Sequence, residues 1–324
     1  MNTGATHRRQ TDLLGEAPPS AEPPLAASRR PRHGVGPESV TARTVAVSVN
    51  EAAPRESLPT GMYVDVMETE TTGGSGRIDV GTCGWAYAHW RGPFYPHGLP
   101  TSEWLGFYAQ RFASVEIDST FYRLPSEEAI QRWLALAPEG FNYAVKMNRR
   151  VTHLRRLRGA EEATRSFVAR VAPLDRALGA YLVQLPPGLT RDVPLLDGFL
   201  ASLQAAQAAA PGPAAAAPVA VEFRHPSWFD DDVYGVLRDH HAAFCISDLG
   251  GRLWPLVATA RLVYVRLHGP ERRYAGSYGD EALAVWAERC RAWAAAGRHV
   301  RVYFDNDELG YATADALRLG RLLA

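Results

Sequence analysis

Lysine is almost missing from this sequence. The 324-residue chain has one, Lys146, against 34 arginines, so Arg fills the generic cationic positions. The surviving ammonium is a compact charge with a tunable pKa. It can neutralise an anion, move a proton or form a Schiff base where a guanidinium cannot. Cysteine is scarce as well. Cys83, Cys245 and Cys290 are odd in number, far apart and without CxxC spacing, which argues against a disulfide framework and for a reducing cytoplasm. No apolar run approaches the roughly 18 residues that span a bilayer. Nor does an apolar segment follow Arg8 and Arg9 to make a secretory or twin-arginine signal. With a formal net charge of +0, no global field recruits nucleic acid or a membrane surface. The HExxH, P-loop and GxSxG motifs are absent.

What is present divides into two textures. Residues 1–76 are rich in Pro, Ala, Arg, Ser, Thr and Gly without sustained periodicity, and prolines stand at 18, 19, 23, 24, 31 and 37. Such a segment cannot bury enough apolar surface to offset its ordering entropy, so a disordered tail is expected. A start at Met62 or Met67 would leave the same signature. Arg29-Arg30-Pro31-Arg32-His33 reads as part of a solvated tail rather than as an anion-docking patch.

From residue 77 to 324, short β-rich runs alternate with helical stretches, the rhythm of a parallel sheet with crossover helices. The runs are Ile78–Gly81, Ser114–Asp118, Asn142–Met147, Tyr181–Leu185, Val219–Phe223, Ala243–Asp248, Leu262–Leu267 and Val300–Phe304. Helix starts are expected at Ser102, at Ser126 and at Ser227 with Asp230. The Ala-rich tract of 203–218 reads as a helix end followed by a slack loop. An open doubly wound sheet is the competing fold, but the turn Gly81-Thr82-Cys83-Gly84-Trp85 lacks GxGxxG spacing. The eight runs favour an α/β fold with one closed (β/α)8 TIM-type barrel.

Barrel alternation then sorts the polar residues. Placing Val115, Ile117, Tyr143, Val145, Val221, Phe223, Val263, Val265 and Leu267 against the helices turns Glu116, Asp118, Lys146, Glu222, Arg224, Arg266 and His268 inward. Gln184, Asp248 and Asp305 fall at or near other strand ends. Interior charge is costly unless paired or solvated at the mouth, and these charges crowd toward the C-terminal strand ends, where barrel active sites lie. The catalytic candidates are Glu116, Lys146, Glu222 and Asp248; the substrate-binding candidates are Trp85, Tyr122, Arg224, His225, Arg266, His268, Asp305 and Asn306. His225 can equally orient the turn at Pro226. The aromatics Trp85, Tyr87, Trp90, Phe94 and Tyr95 suit either a stacking surface or a small core of their own. Arg149, Arg150, His153, Arg155, Arg156 and Arg158 form a basic loop that suits either an acidic or phosphate-bearing ligand or plain solvation.

Several of these motifs resemble the domain-of-unknown-function 72 family, also called YecE-like, over about residues 77–324. They are Gly81-Thr82-Cys83-Gly84-Trp85, Val115-Glu116-Ile117-Asp118-Ser119-Thr120-Phe121-Tyr122, Ala144-Val145-Lys146, Gln184-Leu185-Pro186-Pro187, Val221-Glu222-Phe223-Arg224-His225-Pro226-Ser227-Trp228, Val265-Arg266-Leu267-His268-Gly269 and Tyr303-Phe304-Asp305-Asn306-Asp307. The resemblance implies a TIM-type barrel and supplies no reaction. Cys83 stands where a Ser is typical, and Asp118 and Asp305 where an Asn is typical.

Three functions are compatible with this pattern. One is a metal-independent hydrolase or lyase in which Glu222 is base or nucleophile, Glu116 its partner, and Lys146, Arg224 and Arg266 hold a small anionic substrate. Another is a metal-dependent phosphoesterase with Glu116, Glu222, Asp248 and His268 as ligands of a divalent ion. The third is a non-catalytic binder of a small anion or nucleotide. No cofactor is expected under the first or third, and no membrane partner under any.

Overall fold

The computed structural model describes residues 76–324. The tail expected over 1–76, the alternative starts and the basic patch at 29–33 lie outside the described residues, apart from Gly76, whose N–H donates to the Ala294 carbonyl at 3.0 Å.

Eight parallel strands make one sheet: β1 (Ile78–Thr82), β2 (Ser114–Ile117), β3 (Asn142–Lys146), β4 (Leu178–Gln184), β5 (Val219–Glu222), β6 (Ala243–Asp248), β7 (Leu262–Leu267) and β8 (His299–Phe304). Their order, β1-β8-β7-β6-β5-β4-β3-β2, is that of a barrel cut open at the β1–β2 seam. That seam is closed by a single parallel bridge between Cys83 and Glu116 and by the Gly84 N–H donating to the Glu116 carbonyl at 2.8 Å. Gly81 permits the approach, since a Cβ there would stand 2.2 Å from the Ser114 carbonyl oxygen. The Tyr108 hydroxyl accepts from the Thr82 N–H at 2.9 Å and reaches the Ser114 carbonyl at 3.2 Å, stitching the two strands from outside.

The sheet has two faces of different chemistry. Val115, Ile117, Val145, Val183, Val221, Val263, Val265, Val300 and Val302 pack outward against the helices in the main core. The β-branched residues that make the runs strand-forming are thus also the ones that seat the outer layer. Inside, Ala144, Ala180, Ala220, Ala243 and Cys245 are small, and the room they leave is taken by Tyr264, Tyr303 and charged side chains.

The principal helices are α1 (Trp104–Ala109), α2 (Ser119–Tyr122), α3 (Glu127–Leu136), α4 (Glu161–Val171), α5 (Val193–Ala208), α6 (Asp231–Asp239), α7 (Asp280–Ala295) and α8 (Tyr311–Leu323). Ser126 caps α3 as expected, accepting from the Ala129 N–H at 3.2 Å. Ser102 does not cap; it lies within a 3-10 turn ahead of α1. Ser227 does not cap α6 either, and Asp230 accepts from the Asp232 N–H at 3.1 Å instead. The slack loop expected after α5 contains a 3-10 turn, Gly212–Ala216. No helix among the described residues is long and apolar enough to cross a membrane.

Candidate functional site

The inward residues of β2, β3, β5, β7 and β8 converge on one guanidinium at the C-terminal end of the barrel. Arg266 grips Glu116 as a fork, Nη2 to Oε1 at 2.7 Å and Nε to Oε2 at 3.1 Å. Its Nη1 donates to Glu222 Oε2 at 2.8 Å, and Nη2 also reaches Asp305 Oδ2 at 3.2 Å and Cys83 Sγ at 3.3 Å. The Tyr264 hydroxyl donates to Glu116 Oε2 at 2.6 Å. Glu222 further receives Arg224 Nη2 at 2.9 Å and the Ser247 hydroxyl at 3.0 Å on Oε1. His268 lies between two carboxylates, Nε2 3.2 Å from Glu222 Oε1 and Nδ1 2.9 Å from Asp305 Oδ2.

Burial separates this cluster into a floor and a mouth. Glu116, Glu222, Arg266 and His268 are at most 1% exposed. The side chains of Asp118, Asp305, Lys146 and Arg224 are 21%, 14%, 13% and 7% exposed and meet the opening. Lys146 Nζ pairs with Asp118 Oδ1 at 2.9 Å and stands 5.0 Å over the Phe121 ring. Asp305 makes its side-chain bonds through Oδ2, while Arg224 Nε is a buried donor without an acceptor among the described residues.

The environments push the ionisable groups apart. Burial raises Glu116, against the pull of Arg266. For Glu222 burial acts upward too, but Arg224, Arg266 and His268 outweigh it and hold the carboxyl well below its ordinary range. Asp305 is lowered in the same way, burial being overcome by Arg266 and His268. Burial opposes the Lys146 charge, yet the neighbouring carboxylates, Asp118 foremost, raise its pKa, so it stands as an ammonium rather than a free amine. On the rim, burial and then Lys146 and Arg224 depress His153 to about 4, which leaves a neutral imidazole at physiological pH.

Of the residues singled out from the sequence, Glu116, Lys146, Glu222, Arg224, Arg266, His268 and Asp305 come together here. Asp248 does not join them. Its register partner Leu267 points outward, and Asp248 Oδ2 instead accepts from the Tyr278 hydroxyl at 3.2 Å; the inward residue of that strand end is Ser247. His225 caps the turn after it, its Nδ1 accepting from the Ser227 N–H at 3.2 Å. Asn306 donates to the Gly276 carbonyl and to Asp315 Oδ2, both at 2.8 Å, anchoring the loop after β8 to α8. Trp85 packs edge-on against Trp133 of α3, and Tyr122 is 48% exposed while its neighbour Phe121 faces Lys146. Trp90, Phe94 and Tyr95 form a small core with Trp104, Phe107 and Phe112 rather than a stacking surface.

The donor set expected for a divalent ion does not come together. The set Glu116, Glu222, Asp248 and His268 fails to converge, because Asp248 faces away and Arg266 occupies Glu116. Among the described residues, Cys83, Asp118 and Asp305 do bring ligand atoms within 4.8 Å of one another. Arg266 Nη2 is already there, 3.3, 3.8 and 3.2 Å from them respectively. Burial also raises the Cys83 thiol well above its usual range.

The model of the family described as "Protein of unknown function DUF72" matches residues 79–324. The chain belongs to this family. The UPF0759 protein YunF of Bacillus subtilis (strain 168) is 23% identical over 280 residues, 76% of this chain and 94% of the relative. The UPF0759 protein YecE of Escherichia coli (strain K12) is 33% identical over 123 residues, 38% of this chain, and the match spans only 42% of that relative's length. Among solved structures, a DUF72 family protein from Thermotoga maritima MSB8 superposes with TM-score 0.67 at 28% identity, covering 76% of this chain and 99% of the other. One from Enterococcus faecalis V583 has TM-score 0.64 at 20% identity, covering 76% and 95%, and shares the fold.

Proposed function

We propose that the mouth binds a small anionic substrate, phosphate- or carboxylate-bearing, and acts on it by metal-independent acid–base chemistry, as a hydrolase or lyase. The observation that carries this reading is the meeting at the opening of two cations, Lys146 and Arg224, with two carboxylates, Asp118, which pairs with Lys146, and Asp305, which among the described residues is engaged through Oδ2. Lys146 and the unpartnered Arg224 Nε hold the anion, where charge-assisted hydrogen bonds are strong. Asp305, oriented by His268 and Arg266, offers Oδ1 as base or nucleophile. Glu116 and Glu222 are fully engaged beneath and serve as positioning residues for Arg266 and Arg224, in place of the catalytic roles expected from the sequence.

The test is a turnover screen of the full chain in excess chelator against phosphate monoesters, phosphodiesters, carboxylate esters and glycosides. Turnover that persists in chelator and falls at least about 100-fold in Asp305→Asn supports the reading. Turnover that appears only on adding a divalent ion overturns it in favour of metal chemistry. Saturable binding of anions without turnover of any class overturns it in favour of a binding protein.

A further inference from the structure

The loop after β7 returns over the mouth through backbone conformations that few residues tolerate. Gly269 has φ +119, and a Cβ there would lie 2.2 Å from the Arg272 carbonyl oxygen and 2.4 Å from that of Ala275. Arg272 bridges Ala275, and the Gly269 N–H donates to the Tyr278 hydroxyl at 3.1 Å. Between these supports Tyr274 is held at φ +62. Bulky residues avoid this left-handed region, and such strain collects at functional sites. The Tyr274 N–H donates to the His268 carbonyl at 2.5 Å. Its ring meets the His268 imidazole edge-on, centroids 5.5 Å apart.

Arg272 and Arg273 beside it are exposed, whereas Tyr274 is half-buried. Its hydroxyl makes no hydrogen bond among the described residues, although Arg224, Asp305, Arg266 and Lys146 all act on it electrostatically. Burial raises the phenol, so it keeps its proton at neutral pH and is available as a donor.

We infer that the Tyr274 hydroxyl is a third donor to the substrate's anionic group, beside Lys146 Nζ and Arg224 Nε, and that this group is phosphoryl rather than carboxylate. The inference rests on the anion site proposed above and deepens it. Three donors approaching from separate elements suit a tetrahedral oxyanion, whose oxygens face several directions, better than a carboxylate, whose acceptor positions lie near one plane. The loop strain is then the cost of fixing the third donor over the opening.

The test is calorimetric titration of inorganic phosphate and of acetate into the full chain and into Tyr274→Phe, which keeps the ring against His268. Phosphate is expected to bind the wild type more tightly than acetate. In Tyr274→Phe the phosphate affinity should fall about tenfold, with acetate and the melting temperature unchanged. Equal phosphate affinity in both proteins would overturn the role of Tyr274 while the anion site stands. Acetate bound as tightly as phosphate by the wild type would overturn the phosphoryl assignment. No binding of either anion by the wild type would overturn the anion site and this inference together.

Discussion

Arg266 is the residue on which the barrel interior depends, because it neutralises two carboxylates that have no access to water. Removing one member of a buried ion pair leaves the other uncompensated and costs about 3–5 kcal/mol. Arg266→Met should therefore lower the unfolding free energy by an amount in that range, read by chemical unfolding; a change under about 1 kcal/mol would mean that Glu116 and Glu222 are held some other way. Asp307 behaves differently. Burial raises its carboxyl to about 6, against the Trp90 indole N–H and His89 that bond it. A carboxyl raised in the folded state contributes stability that is complete below its unfolded pKa of about 3.9 and is lost as pH climbs through 6. Asp307→Asn keeps a neutral acceptor for Trp90. Its stability relative to wild type should rise between about pH 4 and 7, by on the order of 1–2 kcal/mol. A difference that is flat with pH would contradict the assignment.

At this scale, alternation along strands made much of the site legible. Glu116, Lys146, Glu222, Arg224, Arg266 and His268 all sit where a period of two places them. Asp248 has the charge of a site residue but the outward parity, and Ser247 takes the inward position at that strand end. His225 and Asn306 lie one residue beyond inward positions and were counted with them, although each is spent on holding a turn.

Among elements, strands were readable and loops were not. The eight runs correspond to β1–β8 because β-branched residues both extend the backbone and face the helices. The loops after β3 and β7 follow no period, so the turn of Arg150–Leu154 that presents His153, and the strap that presents Tyr274, left no signal beyond composition. The left-handed φ of Tyr274 is a property of tertiary closure. Gly269→Ala tests the strap as an element: with its Cβ 2.2 Å from the Arg272 carbonyl, the loop cannot close as it stands. Amide exchange of residues 269–278 should accelerate and phosphate binding should weaken, with β1–β8 still protected. Unchanged exchange in the strap would show that the loop relaxes without loss.

For the molecule as a whole, the barrel is one ring of strands with a weak seam, and Glu116 belongs to both the seam and the site. Its carbonyl receives the Gly84 N–H, while its carboxylate anchors Arg266. Closing the barrel therefore assembles the floor beneath the mouth, and the interior alanines make the space for it. Four carboxylates (Glu116, Asp118, Glu222 and Asp305) against Lys146, Arg224 and Arg266 leave the cluster close to neutral before His268 is counted. With carboxylates one ahead of the cations, an anion at the mouth would be held by individual donors and not by the net field of the cluster. Calorimetric titration of inorganic phosphate into the chelator-treated full chain, beside Lys146→Arg, tests this most directly. The expected result is saturable binding of one phosphate per chain without metal, weakened about tenfold when the ammonium becomes a guanidinium that cannot reproduce its point contact. Equal affinity in the two proteins, or binding that returns only with a divalent ion, would contradict it.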